Sequence, residues 1–211
     1  MDVGLVLSLS VAGVALGVIE GIKPGPLLTM VIRETLSGGL RAGVWTAAAP
    51  IFTDGPLIIV SLLAASWIST RPSILIAISI LGAAYLLKMG LECFTIEPPS
   101  YDLAEIDVSD SLKRGVLTNL LNPNVYIFWF LIGGPLMASA ADVEPLAPVA
   151  YAMTFLVSII IVKSMIALAF DRTRGNLSHR SYSIMLSLCG VAMIFFAIGF
   201  TYQAYDLYQA L

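Results

Sequence analysis

The chain has 211 residues, 58% of them in the hydrophobic set, with 11 basic and 14 acidic side chains and a formal net charge of −3. That is about half the charged fraction of an average soluble domain, too little polar surface to cover a water-soluble globule, which leaves a bilayer as the expected solvent. Cys93 and Cys189 lie in apolar runs and read as small hydrophobes, so no disulfide framework is implied, and the lack of a basic block excludes a nucleic-acid surface.

Cutting the chain at its charges and Gly/Pro punctuation leaves six apolar segments, near residues 3–32, 43–66, 72–94, 115–137, 146–170 and 182–205. Each is long enough for a helix spanning about 30 Å of hydrocarbon, which takes roughly 20 residues. The first is too long for one straight rod, and Lys23-Pro24-Gly25-Pro26 predicts a broken helix. Its N-terminal side offers Asp2 where a signal peptide needs a positive region, so the segment is expected to be retained. In the second, Pro50 and Pro56 flank Asp54 and predict a bend. Gly13, Gly17, Gly21 and Gly25 recur every four residues, a stripe that permits close helix approach.

Residues 95–110 form the one extended polar stretch, with Glu97, Asp102, Glu105, Asp107 and Asp110. They divide the chain into 1–94, an acidic cytoplasmic linker, and 111–211, each half carrying three spans. Because three is odd, a repeat must be inverted across the membrane. In GVIEGIKPGP the first proline follows Glu20 by four residues, and in TNLLNPNVY Pro123 follows Asn119 by four. LGAAYLLKMGL around Gly82 and CGVAMIFFAIGF around Gly190 also share a pattern. The expected architecture is therefore an all-α membrane protein of six transmembrane helices in two inverted three-helix repeats, with helices 1 and 4 broken near the midplane.

Arg33, Arg41, Lys88, Lys113, Arg114, Arg172, Arg174 and Arg180 fall in or beside the odd-numbered connections, against Arg71 alone in the even ones. The bias predicts cytoplasmic odd connections and both termini outside. Trp67 and Tyr151 on the outer side, and Trp45 and Tyr182 on the inner, read as interfacial aromatics or as packing residues. Counting about 1.5 Å per residue from Arg33, Arg114 and Arg172 brings Pro24, Pro123 and Lys163 to one level, with Lys23, Glu20 and Asp54 slightly deeper.

A charge at mid-membrane costs on the order of 3 kcal/mol, so Glu20, Lys23, Asp54 and Lys163 are expected to face inward and find partners. Glu20 can pair with Lys23 on one helical face, which leaves Asp54 and Lys163 as the pair between halves. Such charges either staple helices together or line a cavity open alternately to each side. In the second case Pro24, Gly25 and Pro26 free backbone groups for a ligand, while Asn119 and Asn122 supply neutral donors and acceptors at the second break. This set complements a zwitterion, and Asp54 or Glu20 could carry a proton through the cycle.

These motifs resemble the LysE/RhtB family of bacterial and archaeal amino-acid exporters. KPGPLLTMVIRETLSGGLRAG, the acid Asp54, LGAAYLLKMGL and RGVLTNLLNPNVYIFWF are all similar to family patterns over nearly the whole chain. The resemblance implies a multi-pass protein of a prokaryotic inner membrane that exports amino acids or similar small metabolites by proton-coupled antiport. It also admits a homodimer and implies no cofactor. Carried over, Pro24, Gly25, Pro26, Asp54, Asn119, Asn122 and Pro123 are family-type site residues. Glu20, Lys23 and Lys163 depart from the pattern, and a site already holding two cations is an odd host for lysine or arginine.

Two rivals remain: efflux of a metal cation, for which Glu20 and Asp54 are a thin supply of ligands, and a membrane scaffold that moves nothing. A membrane enzyme has little to work with, since the one histidine, His179, stands alone beside a loop.

Overall fold

The computed structural model describes residues 2–69, 72–95, 108–174 and 178–209, and every regular element in them is helical. The chain order is α1 (Val3–Ile22), α2 (Pro26–Ala47), α3 (Pro50–Ser69), α4 (Pro72–Glu92), α5 (Val108–Leu120), α6 (Pro123–Phe128), a π-helical turn (Trp129–Gly133), α7 (Gly134–Ala141), α8 (Leu146–Arg174) and α9 (His179–Gln209). Five described stretches are long and apolar enough to cross a membrane: Val3–Ile22, Pro26–Leu62, Pro123–Ala141, Leu146–Thr173 and Ser183–Gln209. The segment expected as a third span forms α4, which packs along α9. Of the polar linker, residues 96–107 lie outside the described residues, as do the side chains of Trp67, Arg71 and Tyr182.

Both expected breaks are present. The first separates α1 from α2 at Lys23–Gly25, and the second separates α5 from α6 at Leu121–Asn122. The segment boundaries differ from the sequence reading, however. No loop follows residue 32; α2 runs on to Ala47 and turns within itself at Gly39, where φ is 80°. That is the left-handed region favouring glycine, and the Leu40 N–H freed there donates to Asp171 Oδ1 of α8 at 2.8 Å.

The consequence for charge placement is a correction. Arg33, taken as a cytoplasmic loop residue, is 3% exposed inside α2. Its Nη1 donates to Glu34 Oε1 at 2.8 Å and its Nη2 to Glu92 Oε2 at 3.1 Å. Arg33 is therefore no marker of a membrane edge. Of the two alternatives for Tyr151, the structure has the packing one: it is fully buried against Trp129 and Phe155. Trp45 is exposed.

The glycine stripe of α1 joins distant parts of the chain. On one face Val3, Leu7, Val11 and Val14 are exposed apolar residues, and on the other Gly13, Gly17 and Gly21 are buried against α8. A Cβ at Gly13 would meet the Tyr151 carbonyl at 2.5 Å, at Gly17 the Phe155 carbonyl at 2.6 Å, and at Gly21 the Val162 side chain at 2.7 Å. The ascending order of partners means that α1 and α8 run parallel. Gly25 falls outside this contact. In α4 and α9 the order is reversed: Gly82 lies against Phe200 and Gly90 against Gly190, so those helices run antiparallel. Cys93 and Cys189 are free thiols buried at that seam with Met30, Met89 and Met193.

Gly17→Val drives a branched side chain into the α8 backbone and is expected to destabilise the protein by about 2 kcal/mol. Gly55→Ala, inside α3 where an added Cβ meets nothing within 4 Å, should leave the unfolding temperature in detergent equal to or slightly above the parent's, because no contact is lost and alanine favours the helix.

Candidate functional site

Helix propagation explains the first break. Proline has no N–H, so Pro24 leaves the carbonyl of Glu20, four residues earlier, without its helical donor. Gly25, which would have served Gly21, is instead the extended cap that precedes α2, with φ −170°. Both orphaned carbonyls are met from α8: Lys163 Nζ donates to Glu20 O at 3.1 Å and to Gly21 O at 3.2 Å. An ammonium at a helix C-terminus also complements the helix dipole. Lys163 is 3% exposed and a little past the middle of α8. The second break has a comparable neighbour, since Gly82, midway along α4, brings the α4 backbone against the Leu121 carbonyl. There Asn122 caps α6 by accepting from the Asn124 N–H at 3.1 Å.

The expected pairing of Asp54 with Lys163 does not form. Lys163 is occupied by the carbonyls of the break, and Asp54 is held by three neutral donors. Thr53 Oγ1 and Asn119 Nδ2 reach Asp54 Oδ1 at 2.9 and 2.6 Å, and Trp129 Nε1 donates to Oδ2 at 3.1 Å. Asp54 is 4% exposed. Glu20 and Lys23 do pair, at 3.0 Å, but their side chains are partly exposed rather than sequestered.

One cavity of ≈ 190 Å³ joins these elements. Glu20, Lys23, Pro24, Gly25, Pro26, Asp54, Asn119, Asn122 and Lys163 all line it. Pro123 is buried at the start of α6 and is not part of the lining. Apolar wall comes from Leu28, Val125, Phe128, Phe155, Ile159 and Phe196. The cavity therefore combines one buried ammonium, one buried carboxylate, an ion pair and an aromatic wall. Among the described residues no group of three or more His, Cys, Asp or Glu side chains stands together as a metal site.

Sequence reasoning missed Trp129 and Thr53. Trp129 sits in an apolar run and reads as packing, yet at the first residue of the π-helical turn Trp129–Gly133 its indole N–H reaches Asp54. It also missed a buried ion cluster. Glu34, 1% exposed, accepts from Arg33 Nη1, from Arg114 Nη1 at 3.2 Å and from Ser111 Oγ at 2.8 Å, tying α2 to α5, while Arg33 ties α2 to α4 through Glu92. The adjacent opposite charges in IRET were the available signal. Removing one partner of a buried pair strands the other, so Glu34→Ala should cost about 3 kcal/mol. Glu92→Ala, at the half-exposed end of the cluster, should cost about 1 kcal/mol or less; detergent unfolding curves of the two variants check the order.

Residues 18–204 match the LysE type translocator family. The uncharacterized membrane protein PA4757 of Pseudomonas aeruginosa is 27% identical over 115 residues, covering 50% of this chain and 53% of that protein. The chain thus spans about half the length of this curated relative. No solved structure matches. The family match takes in both helix breaks, Asp54, Trp129 and Lys163, and far more than half of the sequence: this chain belongs to the LysE type translocator family.

Proposed function

We propose that this protein is a secondary transporter that exports neutral amino acids or similar small zwitterions across a prokaryotic inner membrane, coupled to protons by alternating access. The observation that carries this is the single cavity at the two breaks, with a buried ammonium and a buried carboxylate on its wall. Lys163 spends two of its three N–H donors on the break carbonyls, leaving one for a substrate carboxylate. The start of α2 is beside it, where Gly25 gives no side-chain cap and Pro26 supplies no N–H, so the first-turn amides of Leu27 and Leu28 are available to the same anion. Glu20 and Asp54 complement the ammonium end. Two cations on the wall disfavour a basic substrate.

Six alternating spans, with both termini on one side, fit the helix directions: α1 and α8 run parallel, and α4 and α9 antiparallel. Two inverted halves would have the same directions, and the basic bias of the odd-numbered connections supports an outside location for the termini. Pro24, Gly25 and Pro26 at one break, and Asn119, Asn122 and Pro123 at the other, are then the corresponding hinges of the two halves.

Purified protein in liposomes loaded with mixed amino acids and given an imposed pH gradient is expected to release neutral ones selectively. Asp54→Asn should remove the response to the gradient while the protein stays folded. Lys163→Met, which deletes a charge-assisted contact, should lower flux about tenfold or more. Folded wild-type protein that moves no solute under any gradient would leave the scaffold reading in place.

A further inference from the structure

The three contacts on the Asp54 carboxylate are all made by donors, which suits its charged form alone. A proton carrier must also exist protonated, and its new O–H then needs an acceptor, because a buried donor without one costs about 1 to 3 kcal/mol. Of the three side chains bonded to Asp54, Thr53 can change sides by turning its hydroxyl alone, whereas Asn119 would have to flip its amide and the Trp129 indole can only donate. Thr53, 2% exposed, has one hydroxyl proton and two acceptors within reach: Asp54 Oδ1 at 2.9 Å and the Ala49 carbonyl, one helical turn back, at 3.2 Å. Asn119 Nδ2 donates to Thr53 Oγ1 at 2.7 Å as well as to Asp54 Oδ1, which leaves the hydroxyl oxygen one lone pair to receive another hydrogen bond.

We propose that Thr53 is the positioning residue of the proton step, a two-position hydroxyl that satisfies Asp54 in both protonation states. With Asp54 charged, Thr53 donates to Oδ1. When a hydronium ion in the cavity gives its proton to Oδ1, water remains behind and a single O–H bond has moved from one oxygen to another. The Thr53 hydroxyl, keeping its own proton, turns to Ala49 O, and the new Asp54 O–H donates to Thr53 Oγ1. Asn119 and Trp129 keep their contacts throughout, so no buried polar group is stranded and the helices need not shift for the proton to load.

Other ionisable groups face this site from the elements around it. Lys163 comes from α8, and Glu20 and Lys23 from the end of α1; on α6 the Tyr126 hydroxyl is outside the cavity lining and donates to Leu120 O at 2.7 Å. The nearest group on α5 is the neutral Asn119, and α7 carries no titratable side chain. These charges set the field at Asp54, but none is hydrogen-bonded to it.

The inference rests on Asp54 being the proton-loading group, and the test separates the two ideas. In liposomes, substrate-for-substrate exchange at constant pH needs no proton turnover, whereas gradient-driven efflux does. Thr53→Val is expected to keep exchange within about twofold and to lose gradient-driven efflux by about tenfold, the scale of one stranded buried donor. Thr53→Ser should keep both. Equal retention of both in Thr53→Val overturns the role of Thr53, and so does equal loss of both in folded protein. Gradient-driven efflux surviving in Asp54→Asn overturns the underlying reading instead. Should Thr53→Val fail to fold, infrared difference spectra of Thr53→Ala serve the same end. The carboxylic C=O band that vanishes in Asp54→Asn is expected to move once its O–H loses Thr53, and an unmoved band overturns the inference.

Discussion

In hydrocarbon a carbonyl deprived of its helical donor has no water to turn to, and the middle of this molecule is organised around that constraint. Pro24 creates the deficit at Glu20 and Gly21, and Lys163, reaching from a helix more than a hundred residues away in sequence, fills it. The same contact gives a buried ammonium a reason to exist without a carboxylate beside it. Because the cation is balanced by dipoles rather than by an anion, its remaining valence stays free, and the cavity keeps a positive spot that a salt bridge would have cancelled.

Charge is handled in two different ways a short distance apart. The Arg33, Glu34, Glu92 and Arg114 group is self-neutralising, with each guanidinium bound to a carboxylate, and it holds α2, α4 and α5 together. Asp54 has no cation bonded to it; its partners are a hydroxyl, an amide and an indole. A closed ionic group suits a joint between helices, because removing a buried member such as Glu34 leaves uncompensated charge inside the protein. Neutral donors around a lone acid leave no counter-charge stranded should it take a proton, and the one hydrogen-bonding adjustment needed is an acceptor for the new O–H, which Thr53 Oγ1 can supply.

Much of this was legible in the sequence, and the limits have physical causes. Proline and glycine act locally, so both breaks could be read from KPGP and LLNP, and mid-chain charges in an apolar run had to converge because lipid tolerates them poorly. Which charge met which could not be read. Opposite signs in one layer pointed to an Asp54–Lys163 pair, but the carbonyls orphaned at the break are invisible in composition and outcompeted the carboxylate. Arg33 misled for a related reason. A basic residue after an apolar run ordinarily marks a membrane edge, yet here Glu34 beside it and Glu92 on α4 let it lie buried within a continuous helix. Trp129 was hidden because an indole in an apolar run reads as packing, and nothing local shows that its N–H finds a carboxylate 75 residues earlier in the chain.

The glycine face of α1 carries a consequence for how the chain can be assembled. Where Gly13, Gly17 and Gly21 pack closely on α8, the first and eighth helices are joined across the acidic linker, so the tightly packed unit they form is not a contiguous stretch of the gene. Two polypeptides severed within 95–110 would each carry half of an unfinished seam, one a bare glycine groove and the other the carbonyl ridge that fits it. Their recovery as a working whole would depend on both being inserted into the same membrane while the groove is still open.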